Sequence, residues 1–413
     1  MSRDLWSITT HNIPASHVRG FERGVRDEET SKLQLAVKQY TPRANFKPSR
    51  GDVTFIMVGG IDNSKETFEP LFDDLLQHFP AIRNIWAVDP ATYGKSFWLN
   101  RDTIGDEFNW LDIPRDVLHM INHFQDLMPT PIIGIGHSLG GALLTVLSTW
   151  HPRLFTGLIL TEPAYGPKKG ISWPTPNKFY PSVLVAKRKD TWPSREEARK
   201  TFVKSPVFKS YDLRVVDKIV EHDLVDVSSL DEKARASLGQ VDPGLSVTLA
   251  TPKAITESIW VHPRPKLTGF PSNPGDDIPD EHVNPIPGFG RPEAPVTWQS
   301  IPYLYPPTLL VWGAESELFG EKRAANRKYT AGVMGTGHGG GGGLATGQVT
   351  EATIAGAHHH IPFEKPLDLA KAAASWSKKI QDGWLRKMDE RKNQPEIDPY
   401  KVNEEIMSRY AKL

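Results

Sequence analysis

The order of apolar and polar positions along the chain predicts an α/β fold built on a mostly parallel sheet. Apolar residues at alternate positions over 33–40, together with the stretch over 6–13, predict two antiparallel entry strands. Unbroken apolar runs follow, and runs of this length are typical of parallel strands that are buried on both faces. These runs lie at 53–58, 82–88, 132–135, 154–160, 307–313 and 349–354.

Stretches with apolar residues at helical spacing separate the predicted strands. One helix follows residue 64, a second starts at 112, a third covers 141–147 and a closing helix covers 370–385. Strands and helices that alternate in this order give a right-handed, doubly wound sheet. The apolar faces of the first two helices consist of Phe68, Leu71, Leu75 and Leu76, and of Val117, Leu118, Ile121 and Phe124.

The alternation stops between about 165 and 305, which predicts an inserted cap between the sixth and seventh strands. Within it, Ser194 and Glu197 form a capping box that opens a helix, and 212–222 is a second helical stretch. The segment 262–307 carries about a dozen prolines, so we expect neither regular helix nor interior strand there.

This pattern divides the chain into four parts. We expect a first core part at 1–164, a cap or lid at 165–305, a second core part at 306–387 and a tail at 388–413. A glycine-rich run over 335–347 in the second core part is predicted to be a flexible loop.

The chemistry centres on the run Gly136-His137-Ser138-Leu139-Gly140, which joins a predicted strand to a predicted helix. This G-x-S-x-G pattern is typical of a nucleophile elbow, because glycines let strand and helix approach closely in a strained turn. The turn lifts the Ser138 hydroxyl clear of the sheet. It also directs the N–H of Leu139 towards the position where an oxyanion would form.

Composition narrows the classes of function. Lys plus Arg and Asp plus Glu both number 49, so the zero net charge favours neither a nucleic-acid partner nor an anionic membrane surface. The chain has no cysteine, which excludes disulfides, a thiol nucleophile and thiolate metal sites. The first residues lack the apolar core of a secretory signal, and no stretch approaches the length of a membrane span. We therefore expect synthesis in the cytosol and no membrane insertion.

A serine nucleophile needs an imidazole to accept its proton and a carboxylate to orient that imidazole. Where the serine stands in an elbow of this kind, the acid and then the histidine follow it along the chain. The histidine candidates are the triplet 358–360. Adjacent side chains diverge and no spaced metal-ligand pattern accompanies them, so we expect neither a metal nor a cofactor. The acid candidates are Glu162, after the sixth strand, and Glu315 and Glu317, after the seventh. The acid usually stands after the seventh strand in the pattern G-x-x-D, and in the run 313–316 that position holds Ser316.

With these residues in view, the chain resembles the α/β-hydrolase superfamily over most of its length outside the cap. More narrowly, it is similar to the fungal peroxisomal hydrolases of secondary metabolism, a group that contains acyl-CoA hydrolases and toxin-biosynthesis hydrolases. The motifs that carry this resemblance lie at 37–42, 65–71, 120–124, 134–138, 151–156, 191–196, 335–347 and 411–413.

The resemblance implies a triad of Ser138, Glu162 and His359, with the acid after the sixth strand. Counting back from Pro362 in the family's carboxyl-terminal motif selects His359 from the triplet. The loop after the first parallel strand is usually H-G-x in these hydrolases, and its third residue supplies the second oxyanion N–H. That residue is Ile61 here, with Gly60 as the one-position alternative. The chain departs from the pattern by having Gly59 for the histidine and Glu for the more usual Asp.

The resemblance also implies an activity and a compartment. We expect hydrolysis of an acyl-CoA thioester or ester of a fatty or secondary-metabolite acyl group through an acyl-enzyme on Ser138. The alternatives are a lipase or carboxylesterase and a hydrolase-like binding protein without turnover. Cap cations at 168–169 and 187–189 either meet the phosphates of coenzyme A or form solvated surface. Ala411-Lys412-Leu413 is a variant of the S-K-L address read by the peroxisomal import receptor, and a homodimer is left open.

Overall fold

The computed structural model describes residues 2–165, 181–236, 238, 247–260, 262–263, 289–291, 293–317, 323–394, 396 and 398–411. Within them the strands are β1 (Trp6–Pro14), β2 (Gln34–Pro42), β3 (Val53–Val58), β4 (Ile82–Val88), β5 (Ile132–His137), β6 (Gly157–Thr161), β7 (Thr191–Trp192), β8 (Leu224–Asp226), β9 (Val247–Leu249), β10 (His262–Pro263), β11 (Phe289–Gly290), β12 (Thr308–Gly313) and β13 (Val349–Ile354). The helices are α1 (Ser2–Leu5), α2 (Glu69–His78), α3 (Gly94–Asn100), α4 (Asp112–His123), α5 (Leu139–Trp150), α6 (Pro181–Lys187), α7 (Arg195–Lys204), α8 (Leu213–His222), α9 (Glu232–Ala236), α10 (Lys253–Trp260), α11 (Ala294–Ser300), α12 (Arg323–Val333), α13 (Ile361–Glu364), α14 (Pro366–Lys392) and α15 (Glu404–Tyr410).

Eight of the described strands form one sheet in the order β1-β2-β4-β3-β5-β6-β12-β13. The pairings of β1 with β2 and of β2 with β4 are antiparallel, and those from β4 to β13 are parallel. The predicted α/β fold with antiparallel entry strands is therefore confirmed. β6 begins at Gly157 rather than 154, because the Leu154 N–H donates to the His151 carbonyl in a turn before the strand.

Alternate residues of the central strands pack into two separate apolar cores, one on each face of the sheet. On β3, Val53, Phe55 and Met57 belong to one core, whereas Ile56 and Val58 belong to the other. Each core is closed by helices, which explains why these strands read as unbroken apolar runs. The carboxyl ends of β5, β6 and β12 consequently meet at one edge of a rigid support.

The residues between β6 and β12 leave the sheet and form the helices α6 to α11 with a small sheet of β7, β9 and β8. Ser194 Oγ accepts from the Glu197 N–H at the start of α7, as the capping pattern predicts. At the start of α8, the Asp212 N–H donates to the Phe363 carbonyl at 2.8 Å. Arg214 forms two 2.8 Å contacts with Asp74 of the core. The insertion therefore contacts the core next to α13.

The proline-rich segment departs from the expectation that it holds no regular helix, because α11 lies within it at Ala294–Ser300. Pro295 stands in the first turn of α11, where the missing N–H leaves no hydrogen bond unmade. Glu293, directly before α11, accepts from the Trp110 N–H at 2.8 Å. Counting prolines is misleading here because their positions in the helix decide their effect.

Two further segments are more regular than expected. The closing helix α14 runs past the predicted 370–385 and across the expected boundary at 387, because its last residues are polar but favour helix. In the glycine-rich run, the N–H groups of Gly335 and Gly341 donate to the carbonyls of Ile301 and Leu304.

No helix of the described residues combines the length and apolar character needed to cross a bilayer.

Candidate active site

Ser138 stands in a sharp turn between β5 and α5, with φ 54° and ψ −122°, a backbone conformation that residues with side chains rarely adopt. Neighbouring glycines make the turn possible. A Cβ on Gly136 would lie 2.5 Å from Gly141 Cα, and one on Gly140 would lie 2.2 Å from the Val58 carbonyl oxygen. Both distances are too short for non-bonded atoms, so these positions require glycine, as the elbow pattern predicts.

His359 lies in the loop between β13 and α13, and its Nε2 is 2.9 Å from Ser138 Oγ. The two neighbouring imidazoles face other groups. His358 Nδ1 is 3.2 Å from Glu364 Oε2, and His360 Nδ1 is 2.8 Å from Tyr211 Oη. Across the described residues, no group of three or more His, Asp or Glu side chains is close enough together to bind a metal ion. Of the triplet, His359 is the one beside the elbow serine.

A further histidine, His137, forms a hydrogen bond to the backbone of the loop that carries His359. His137, the last residue of β5, is buried and donates its Nε2–H to the His359 carbonyl at 3.1 Å. Burial lowers the pKa of His137 well below its ordinary value, and the rings of His359 and His360 lower it further. Burial likewise lowers the pKa of His360 to about 3, with His359 and His358 acting in the same direction. Both rings are therefore neutral at pH 7 and fix the loop without adding charge.

Glu162 follows β6 directly, and its side chain is fully buried. Its Oε2 lies 3.4 Å from His359 Nδ1, so the chain Glu162, His359, Ser138 is continuous. A contact of this length is common before substrate binds. The backbone of Glu162 has φ 47° and that of Asp62, in the loop beside the elbow, has φ 76°, so three non-glycine residues of the site, Ser138 included, share a positive φ. Held strain of this kind is frequent at functional sites.

Other donors surround the Glu162 carboxylate. The Gly313 N–H donates to Oε1 at 2.7 Å, and Arg327 Nη2 donates to the same oxygen at 2.8 Å. Ser316 Oγ donates to Oε2 at 2.7 Å. With His359, each carboxylate oxygen therefore has two donors in the described part of the chain. A buried carboxylate needs such partners to be tolerated.

The alternative acids Glu315 and Glu317, which follow β12, the predicted seventh strand, are exposed. Among the residues that the structure describes, neither carboxylate contacts His359. Between them, the buried Ser316 occupies the position where an acid is usual and donates to Glu162 instead.

The loop over 59–62 borders the elbow on its other side. A Cβ on Gly60 would lie 3.0 Å from Ser138 Cβ, so the backbone passes directly beside the serine. Leu139 begins α5, where the N–H groups of the first turn have no intrahelical acceptor. The predicted oxyanion donors Leu139 and Ile61, and the alternative Gly60, all line one small cavity. Its other walls include the apolar residues Pro90, Tyr93, Ile113 and Ile259.

Asp62 joins this loop to the insertion. The Arg188 guanidinium contacts both Asp62 oxygens, with Nη2 3.0 Å from Oδ1, and the Tyr93 hydroxyl donates to Oδ1 at 3.1 Å. Burial raises the pKa of Tyr93 well above its ordinary value, and the nearby Asp62 raises it further, so the hydroxyl keeps its proton. Arg188 is thus engaged with Asp62 rather than free for a phosphate. Lys187 and Lys189 are exposed, and the cations at 168–169 lie outside the described residues.

Sequence reasoning missed three polar partners of the site: Ser316, Arg327 and Tyr211. Ser316 left a signal, since it stands where an acid is usual. Arg327 left none, because it is one basic residue in a polar helix, and its contact with Glu162 spans 165 positions. Tyr211 precedes a predicted helix of the insertion, and its contact with His360 spans 149 positions.

The sequence and the fold both match known hydrolases. A family model described as the alpha/beta hydrolase family matches residues 55–372. The type I acyl-CoA thioesterase mpaH of Penicillium brevicompactum is 33% identical over 404 residues, which cover 92% of this chain and 90% of that protein. The peroxisomal membrane protein LPX1 of Saccharomyces cerevisiae is 27% identical over 222 residues, which cover 49% of this chain and 57% of that protein. The solved structure of the peroxisomal alpha-beta-hydrolase Lpx1 aligns with a TM-score of 0.67 at 19% identity, covering 99% of this chain and 96% of that one.

Proposed function

Because the chain belongs to the α/β-hydrolase family and is a hydrolase, we propose that it cleaves an acyl thioester or ester through an acyl-enzyme on Ser138. The observation that carries this proposal is the 2.9 Å contact between His359 Nε2 and Ser138 Oγ. Glu162 Oε2, at 3.4 Å from His359 Nδ1, completes the arrangement that activates a serine hydroxyl.

In the first half of the reaction, His359 Nε2 takes the proton of Ser138 as Oγ attacks the carbonyl carbon. The carbonyl oxygen gains the negative charge, and the N–H groups of Leu139 and of Ile61 or Gly60 stabilise it. When the tetrahedral intermediate collapses, the carbon–sulfur or carbon–oxygen bond breaks. The leaving thiol or alcohol takes the proton from the His359 imidazolium, and the acyl group stays on Oγ.

In the second half, His359 takes a proton from water, and the hydroxide attacks the acyl carbon. Collapse of this second intermediate returns the proton to Ser138 Oγ and releases the carboxylic acid. Glu162 keeps the Nδ1–H of His359 directed towards itself through both halves, so that Nε2 faces the serine.

We favour an acyl-CoA thioester as the substrate class. A relative named type I acyl-CoA thioesterase is 33% identical across 92% of this chain. The small cavity lined by Leu139 and Ile61 also has the apolar residues Ile113 and Ile259 in its walls, which supports entry of an acyl group from that side. The finer identity of the acyl group follows from a substrate screen.

We further propose that the protein acts in peroxisomes. One relative whose name states that location, LPX1 of Saccharomyces cerevisiae, matches in sequence over 49% of this chain and also matches in fold. The described residues from 398 to 411 are exposed and lead to the carboxyl end, where Lys412 and Leu413 complete the predicted signal. An exposed approach leaves such a signal accessible to a receptor.

Fluorophosphonate labelling of the purified protein tests the nucleophile. We expect labelling of the wild type, loss of labelling in Ser138→Ala, and full labelling of Ser148→Ala, whose buried hydroxyl bonds the Leu144 carbonyl in the same helix. An unlabelled wild type would favour the binding protein without turnover.

Release of free thiol from acyl-CoA, compared with hydrolysis of p-nitrophenyl esters of the same acyl chain, separates the thioesterase from the carboxylesterase.

A further inference from the structure

We propose that Arg327 is a positioning residue for the acid of the site: its guanidinium holds the Glu162 carboxylate in the orientation that presents Oε2 to His359. This inference rests on the proposed function, because it assigns Arg327 a role in the same reaction. It is carried by the way in which the two carboxylate oxygens are shared among their donors.

The two oxygens of the Glu162 carboxylate have different partners: Oε2 faces His359, and Oε1 does not. Oε1 accepts from the Gly313 N–H at 2.7 Å and from Arg327 Nη2 at 2.8 Å. Oε2 accepts from Ser316 Oγ at 2.7 Å and faces His359 Nδ1 at 3.4 Å. Arg327 thus holds the oxygen that the imidazole does not use. Together with the Ser316 bond to Oε2, the two bonds to Oε1 fix the plane of the carboxylate and hence the direction of Oε2.

Arg327 is itself held in place. The Nη2 that contacts Glu162 also donates to the Gly313 carbonyl at 2.8 Å. Its guanidinium carbon lies 5.0 Å from the centre of the Trp312 ring, within the range of a cation–π contact. Arg327 is therefore joined to the end of β12 by two contacts, and the same strand end supplies the Gly313 N–H. A rigid strand end of this kind is what precise orientation requires.

Charge and side-chain length explain why the acid needs this support. The Glu162 side chain is fully buried and that of Arg327 is 14% exposed, so the pair lies largely away from water. A buried carboxylate without a counter-charge is strongly disfavoured, and a charge-assisted hydrogen bond to a guanidinium offsets much of that penalty. Glutamate also has one more rotatable bond than aspartate, so more side-chain freedom has to be removed to orient its carboxylate.

The positive charge of the Arg327 guanidinium also disfavours a second positive charge next to the Glu162 carboxylate. When His359 becomes an imidazolium, it shares Glu162 with Arg327. Among the described residues, other titratable groups near this loop include His137 from β5, Tyr211 from the insertion, Glu317 after β12, and His358, His360 and Glu364 from the loop itself and α13. Removing the cation should therefore favour the imidazolium and move the acid limb of the kcat/KM profile to higher pH.

The test compares Arg327→Met, Arg327→Lys and Lys328→Met, a matched control at an exposed position of the same helix. We expect Arg327→Met to lower kcat about 10- to 100-fold with little change in KM, because the carboxylate is misdirected rather than lost. Its acid limb should move to higher pH, whereas Arg327→Lys keeps the limb in place and recovers part of kcat. Lys328→Met should match the wild type.

A double-mutant cycle with Glu162→Gln separates positioning from general support of the fold. If Arg327 acts through Glu162, Arg327→Met lowers activity by less than about 2-fold in the Glu162→Gln background. Equal losses in both backgrounds, or an unshifted acid limb in a folded Arg327→Met enzyme, would overturn the inference. Thermal unfolding of each variant identifies those that do not fold. If Arg327→Met is one of them, the same cycle is run with Arg327→Lys, whose loss of activity should likewise nearly vanish in the Glu162→Gln background. Failure of the proposed function would instead appear as turnover in Ser138→Ala.

Discussion

On one side, His359 faces a serine whose position is set by residues 136–141, whereas on the other it faces a carboxylate held by residues between 151 and 165 positions away. The serine side depends on backbone geometry, because Cβ atoms at the flanking glycines would clash. The acid side depends on hydrogen bonds and one ion pair from β12, the loop after it and α12. A site can therefore be locally determined on one side of a residue and determined by the whole fold on the other.

The largest expected loss of activity comes from removing the serine on which the first side of this comparison rests. Ser138→Ala should lower kcat by at least about 10⁴-fold, because no other group at this position can form the acyl-enzyme. Single-turnover and steady-state assays of thiol release measure it. The fold should be unchanged, since only a hydroxyl is removed, and turnover near the wild-type rate would disprove the assignment.

The next effect breaks the acid side. Glu162→Gln should lower kcat about 10³- to 10⁴-fold, because a neutral amide neither stabilises the imidazolium nor fixes its tautomer. Glu315→Gln and Glu317→Gln are matched controls, and both should retain nearly full activity since their carboxylates are exposed. If kcat/KM fell more in Glu315→Gln or Glu317→Gln than in Glu162→Gln, the acid would instead be one of the two glutamates after β12.

A rescue experiment sharpens the comparison by moving the acid. Ser316 Oγ lies 2.7 Å from the Glu162 oxygen that faces His359, so an aspartate at 316 reaches nearly the same point. Glu162→Ala combined with Ser316→Asp should recover about 10-fold of the activity that Glu162→Ala loses. Kinetics of the single and double variants measure the recovery. No recovery in a folded double variant would mean that the two positions are not equivalent.

The smallest effect concerns stability on the serine side, where His137 is buried and its pKa is well below the ordinary value because of burial. Below about pH 6.5 the unfolded chain binds a proton at this histidine that the folded chain does not, so stability falls as pH falls. Between pH 7 and 5, His137→Gln should lose up to about 2 kcal/mol less unfolding free energy than the wild type. Urea unfolding measures the difference. The exposed His338→Gln is the control, and an equal pH dependence of wild type and His137→Gln would contradict the argument.

The same contrast explains what the sequence could predict. Strands, sheet-facing helices and the elbow follow from short patterns, and these predictions of the fold are confirmed. For the acid, the residues alone left Glu162, Glu315 and Glu317 open, because the deciding contacts come from distant segments. Arg327 and Tyr211 were missed for the same reason. The helix at Ala294–Ser300 was missed because proline content was weighed without regard to position. The roles of Ser138, Glu162 and His359 stay predictions until the variants are measured.

The place where the insertion leaves and rejoins the sheet has a consequence for the entropy of the chain. It departs after Glu162 and returns at β12, and the Glu162 N–H donates to the Val311 carbonyl, so its two ends are held on neighbouring strands. The entropic penalty of closing such a loop grows only with the logarithm of its length, and doubling the length adds about 0.6 kcal/mol. We therefore expect insertions and deletions to be tolerated in those parts of the insertion that do not contact the site, which excludes the segments around Arg188 and Tyr211, while Glu162 and Gly313 keep their positions. In those parts of the insertion, substrate preference can diversify without disturbing the chemistry encoded on either side.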